Sequence, residues 1–162
     1  MTSEPELTLT SEGELTVLQM VERSHREEIK HHRELQFRAF SWTNSLFLAI
    51  FGGIVAARGA KVDLSGLGSL ILTIMVTSIT ATTLMLIARS ERALEANAAV
   101  VVAADRRMHL FSPGHFGGGE SLYPRKWLSW GSGRRASIET WFYMVNTLIL
   151  GTAIVVGAWT LA

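Results

Sequence analysis

The densest run of chemically competent side chains is ERSHREEIKHHRE, residues 22–34. It holds Glu22-x-x-His25 and Glu28-x-x-His31, a spacing at which one helix can offer a carboxylate and an imidazole to the same metal ion. A four-helix di-iron centre also needs carboxylates from facing helices, and the second long helical stretch offers only Glu91 and Glu95 near the membrane. A solvated charged helix explains the run better, so neither a metal nor any other cofactor is expected. A narrower reading takes His25, Glu28 and His32 as a polar sensing seam between helices, whose charge would change near neutral pH.

A second cluster interleaves Arg125, Lys126, Arg134 and Arg135 with Tyr123, Trp127 and Trp130. Basic groups among interfacial aromatics suit anionic lipid headgroups. A nucleotide could use the same groups with the neighbouring glycine amides, but no phosphate-binding loop or dinucleotide fingerprint is present. Cysteine is absent, which removes disulfides, thiolate metal sites and thiol catalysis. No single motif combines a nucleophile, a base and oxyanion donors, so an enzyme is not expected. Nor is a nucleic-acid partner.

The third group is neutral. Ser69, Thr73, Thr77, Thr80 and Thr83 fall within one broad stripe of a helix with 3.6 residues per turn, and Thr43, Asn44, Ser45, Asn146 and Thr147 add polarity to two other apolar segments. Such groups commonly serve helix packing, with hydroxyls bonding back to the preceding turn. The sharper alternative for Asn44, Ser69, Thr73, Thr77, Thr80, Thr83 and Asn146 is the lining of a water-filled path in an oligomer. No charged residue lies at the centre of these segments, which argues against proton-coupled transport.

The elements that carry these groups follow from hydropathy. The chain has 162 residues, 48% of them hydrophobic, and a mean hydropathy of +0.26. Residues 39–57, 64–88 and 140–162 carry no charged side chain, and each approaches or exceeds the roughly 20 residues that cross a hydrocarbon core. No apolar leader precedes them, so the first span is expected to act as its own signal. Basic residues crowd the flanks at 23–38 and 89–135, whereas the loop at 58–63 has only Arg58 and Lys61. The asymmetry predicts a cytoplasmic N-terminus and a C-terminus outside.

Residues 1–13 read as a flexible acidic tail. Residues 14–38 and 89–111 read as cytoplasmic helices continuous with the first and second spans, because no proline or glycine interrupts the junctions. The connection at 58–63 is short enough to force an antiparallel hairpin. Residues 112–139, rich in glycine, serine, aromatic and basic residues, form a cytoplasmic interfacial loop. The expected fold is an all-α integral membrane protein with three transmembrane helices, the first two forming an antiparallel hairpin extended into the cytoplasm as a helical stalk.

A charged helix leading into a tight two-span hairpin, HHRELQFRAFSWTNSLFLAIFGG through LMLIARSERALEA, resembles the SLATT-type small membrane effectors of bacterial antiphage defence. The likeness is architectural, covers about residues 14–111, and transfers no site residues. It implies a homo-oligomer in the bacterial inner membrane, quiet until a nucleotide or cytoplasmic protein cue makes it breach the bilayer. The third span departs from the two-span layout of that family. The competing expectation is a non-catalytic membrane anchor or accessory subunit for a cytoplasmic partner.

Overall fold

In the computed structural model, residues 12–61, 65–115, 119–132 and 137–160 are described. They contain three α-helices, α1 (Glu12–Gly59), α2 (Gly66–Arg107) and α3 (Ile138–Trp159), and a short 3-10 helix at Arg125–Ser129; no strand occurs among them. Each α-helix is long and apolar enough to cross a membrane. The protein is a helical membrane protein.

The 48 residues of α1 and the 42 of α2 run well beyond their apolar stretches. The polar part of α1 is reinforced by pairs four residues apart, Arg26 with Glu22, Arg23 with Glu27 at 3.5 Å and Arg38 with Glu34 at 3.5 Å. The last two are solvent-exposed, so each contributes only a few tenths of a kcal/mol. Where the sequence carries the second helix to residue 111, α2 ends at Arg107. His109 takes a left-handed φ of 58°, the His109 amide donates to the Arg106 carbonyl, and the Leu110 amide reaches back to the Asp105 carbonyl. This is the Schellman arrangement, which satisfies the last carbonyls and turns the chain before Pro113 is reached. Helix α3 is capped at its start by Ser137, whose side chain accepts from the Thr140 amide at 3.1 Å.

The chain forms two compact units, and both draw on α1 and α2. The first combines α1 residues up to His31 with Ala93–Arg134. Ile29, Ala98 and Val101 form its small core, with Leu94 against them. The loop after α2 is held by the Tyr123 amide on the Leu110 carbonyl and by ring contacts running from Phe111 through Tyr123 to Trp127. Gly131 has a φ of 75° and lies directly on the α2 backbone: a Cβ there would fall on the Ala99 nitrogen and 2.8 Å from its Cα.

The second unit comprises His32–Arg92 and Arg135–Ala162. Phe47, Ile54, Val76, Ile154 and Ala158 form its core. Contacts run in opposite order along α1 and α2, with His32 at Ser90, Gln36 at Ile87 and Thr43 at Thr83. Along α1 and α3 they run in the same order: Phe40 stacks on Tyr143 at 4.5 Å, Phe47 faces Gly151 and Ile54 faces Gly157. The outside of this unit is apolar, with Trp42 76% and Met85 71% exposed among many others. In water so much exposed apolar surface would drive aggregation, whereas in a bilayer it is the lipid-facing surface. Lipid tails are as apolar as the helix faces, so contact packing and interhelical hydrogen bonds hold the three helices together.

Candidate functional site

The polar groups of the second unit sort into a boundary knot and a set of hydroxyls deeper in the spans. The knot is centred on Glu91, just past the apolar stretch of α2. One of its carboxylate oxygens accepts from the Thr140 hydroxyl at 2.7 Å and from the Gln36 amide at 3.1 Å; the other accepts from the Ser137 backbone N–H at 2.9 Å. One side chain therefore joins α1, α2 and the first turn of α3. Beside it, the Ser90 hydroxyl donates to the His32 carbonyl at 3.0 Å. Gln36 and Thr140 are buried at 4% and 0% exposure, and Glu91 compensates their burial together with the Ile87 carbonyl 3.4 Å from Gln36 and the Ser137 hydroxyl 2.9 Å from Thr140.

Burial pushes the Glu91 carboxyl up, but the Ser137 amide, the Thr140 hydroxyl, the Gln36 amide and the charge of Arg33 together outweigh it and leave the group below the usual glutamate range. A carboxylate at this position also complements the positive end of the α3 dipole. Glu91 was not among the site residues expected from sequence. The pattern Ser137-x-x-Thr140 and a carboxylate one turn beyond a span were the available signals, but neither names the other as its partner.

Along α2 the expected stripe divides by angle. At about 100° per residue, taking Ser69 as zero, Thr83 lies near −40°, Thr80 near +20°, Thr73 near +40° and Thr77 near +80°. Burial follows that order: Ser69 and Thr83 are buried, Thr73 and Thr80 half-buried and Thr77 exposed. Ser69 donates to the Ala158 carbonyl at 3.1 Å, and Thr83 shares a 2.8 Å hydrogen bond with Thr43. Thr73 and Thr80 donate to the Ser69 and Val76 carbonyls of the preceding turn, each at 2.8 Å, and Thr73 also accepts from the Trp159 indole at 3.1 Å. Thr77 lies on an open groove of about 410 Å³ between α2 and α3, together with Thr80, Ala81, Gly151 and Thr152. Asn146 is half-buried on α3. The Asn44 Oδ1 and Thr147 Oγ1 atoms are buried without a hydrogen-bond partner.

The remaining expected residues belong to the first unit or its edge. His25 Nδ1 is 2.8 Å from Asn97 Oδ1, so the ring donates to the amide oxygen; Glu28 is exposed, and His32 is half-buried at 3.5 Å from Ser90 Oγ. His25 and His32 thus meet different partners on α2, and no group of three or more metal-ligating side chains occurs among the described residues. Arg125, Lys126, Trp127 and Trp130 are exposed on and beside the 3-10 helix. Arg134 and Arg135 lie outside the described residues.

Asp105 was not among the groups expected from sequence. It is 3% exposed, Arg26 approaches its Oδ2 at 3.4 Å, and its Oδ1 has no partner. Burial pushes its carboxyl above the usual aspartate range; Arg26 opposes this and Glu22 adds to it.

No protein-family model, characterised protein or solved structure matched this chain.

Proposed function

We propose that the protein is a homo-oligomer of the bacterial inner membrane whose spans form or gate a polar path, with helices α1 and α2 making an antiparallel hairpin that continues into the cytoplasm as a sensing stalk. The observation that carries this reading is the groove bearing Thr77, Thr80, Gly151 and Thr152 on the outer surface of the spanning unit. Ser69, Thr73, Thr80 and Thr83 are satisfied within the unit, so packing accounts for them. Thr77 and Thr152 are exposed hydroxyls at positions that lipid alone would not favour. A neighbouring subunit or a water-filled lumen supplies what lipid cannot.

The flanking basic residues favour a cytoplasmic N-terminus. The layout shared with SLATT-type effectors supports a quiescent assembly opened by a cytoplasmic protein or nucleotide cue, in antiviral defence. The Glu91 knot is well placed to pass such a cue from α1 and α2 to α3, because it bonds to all three. The test has two parts. Light scattering of the detergent-solubilised complex is expected to give about four or more subunits, enough to enclose a path. Planar-bilayer recordings are expected to lose conductance when Thr77 and Thr152 are both replaced by leucine. A monomer or dimer, or unchanged conductance in the double variant, removes the lining from these residues.

A membrane anchor or accessory subunit is the second reading, and one observation favours it. Val17 and Met20, far outside the apolar stretches and about 60° apart around α1, are 59% and 68% exposed. An apolar patch on a water-facing helix suits a protein partner. This reading requires a cytoplasmic protein that copurifies in fixed ratio and is lost when Val17 and Met20 become glutamate.

A further inference from the structure

We propose that Asn44 and Thr147 bind a water molecule inside the membrane, at the seam between α1 and α3. Thr147 is 0% exposed and its hydroxyl has no partner, and the Asn44 Oδ1 is buried in the same state. Their placement on the two helices brings them to one level. Asn44 follows Phe40 by four residues and precedes Phe47 by three, so the three share a helix face. Phe40 and Phe47 both contact α3, at Tyr143 and Gly151. Thr147 stands four residues from each of those, on the buried side of α3 that meets both α1 and α2. Counted at about 1.5 Å per residue from the inner ends of the apolar stretches, Asn44 and Thr147 lie about 8 and 11 Å deep.

The chemistry of the pair selects water. Asn44 Oδ1 is an acceptor only, and Thr147 Oγ1 both donates and accepts. A water that donates one proton to Asn44 Oδ1 and accepts the Thr147 hydroxyl proton satisfies both atoms, and its second proton can go to the spare lone pair of a nearby helix carbonyl. Two fixed polar partners meet the minimum for a held buried water. The neighbouring seam differs in kind: at a similar depth, α1 and α2 are joined by the direct Thr43–Thr83 bond. This inference rests on the spans and not on the proposed conductance, and it stands whether the protein is a pore or an anchor.

The test is water-edited solid-state NMR on the full chain in lipid bilayers. Polarisation from water is expected to reach Asn44 Cγ and Thr147 Cβ at least about threefold faster than Val76, which is 1% exposed in the same unit. Build-up at both sites as slow as at Val76 overturns the proposal. Thr147→Val is expected to slow the transfer at Asn44 to the Val76 rate, and Thr147→Ser to leave it fast. An unchanged Asn44 rate in the valine variant removes Thr147 from the site. Conductance measurements do not bear on either result, so failure here and failure of the pore reading are distinguishable.

Discussion

Removing the Glu91 side chain by Glu91→Ala takes from the buried Thr140 hydroxyl and Gln36 amide their shared acceptor, leaving them the Ser137 hydroxyl at 2.9 Å and the Ile87 carbonyl at 3.4 Å. A buried donor left wholly unmade costs about 1–3 kcal/mol; with these acceptors remaining, the loss for the two groups together is about 1–3 kcal/mol. The Ser137 amide lies at an exposed residue and can turn to water, so it adds little. Glu91→Gln can set its remaining oxygen against Thr140 and Gln36 and its new NH2 toward the exposed Ser137 amide, so it keeps both buried bonds and loses only about 0.5–1 kcal/mol. The expected order of stability is wild type, then glutamine, then alanine. Steric-trap unfolding in bicelles measures it, with biotin pairs bridging α2 and α3. An alanine variant within about 0.5 kcal/mol of wild type would refute the argument that this carboxylate compensates buried donors. The pH dependence has a definite sign. Because the folded pKa is depressed, the contribution is complete above the ordinary glutamate value of about 4.3 and is lost as pH falls through the lower folded value.

Asp105 has the opposite sign: its pKa is raised on folding, so its destabilising effect is absent in acid and grows as pH rises from about 3.9 through the higher folded value. Asp105→Asn should flatten that slope in hydrogen-exchange protection of the Ile29 and Val101 amides; an unaltered slope assigns it to another group. Gly151→Ala places a methyl 2.6 Å from the Thr80 hydroxyl, and a loss of about 1–3 kcal/mol is expected. Adding Thr80→Ala should recover much of it in a double-mutant cycle, and purely additive effects would show that the two helices are not in contact there. Gly131→Ala should unseat the loop from α2, because the new Cβ meets the Ala99 backbone and a left-handed φ is retained. Faster proteolysis between Ser121 and Ser132 is the readout, and an unchanged cleavage rate contradicts the close approach.

The three spans were legible because their signal is one-dimensional. An uncharged run near 20 residues satisfies its own backbone as a helix, and no partner need be known for the argument to hold. The continuity of α1 across Arg38 and of α2 across Arg89 follows in the same way from the lack of proline and glycine. The end of α2 did not: His109 adopts a conformation usually left to glycine, so the helix stops before Pro113 with no local residue to announce it.

Sequence also determined that Ser69, Thr73, Thr77, Thr80 and Thr83 share one side of α2, since 3.6 residues per turn fixes their angles. It could not say where on that side α1 and α3 sit. Their placement decides that Thr83 meets Thr43, that Ser69 meets the Ala158 carbonyl, and that Thr77, only about 80° away from Ser69, faces outward. Glu91 is the clearest case. In the sequence it is one carboxylate among charged neighbours at the end of a span. Tertiary structure brings residues 36, 137 and 140 to it, and hydrogen bonds form between atoms about 3 Å apart whatever their separation along the chain. Local pattern determines which segments are helices and how long they run, whereas partners far apart in sequence are fixed only when the helices choose their neighbours and their rotation.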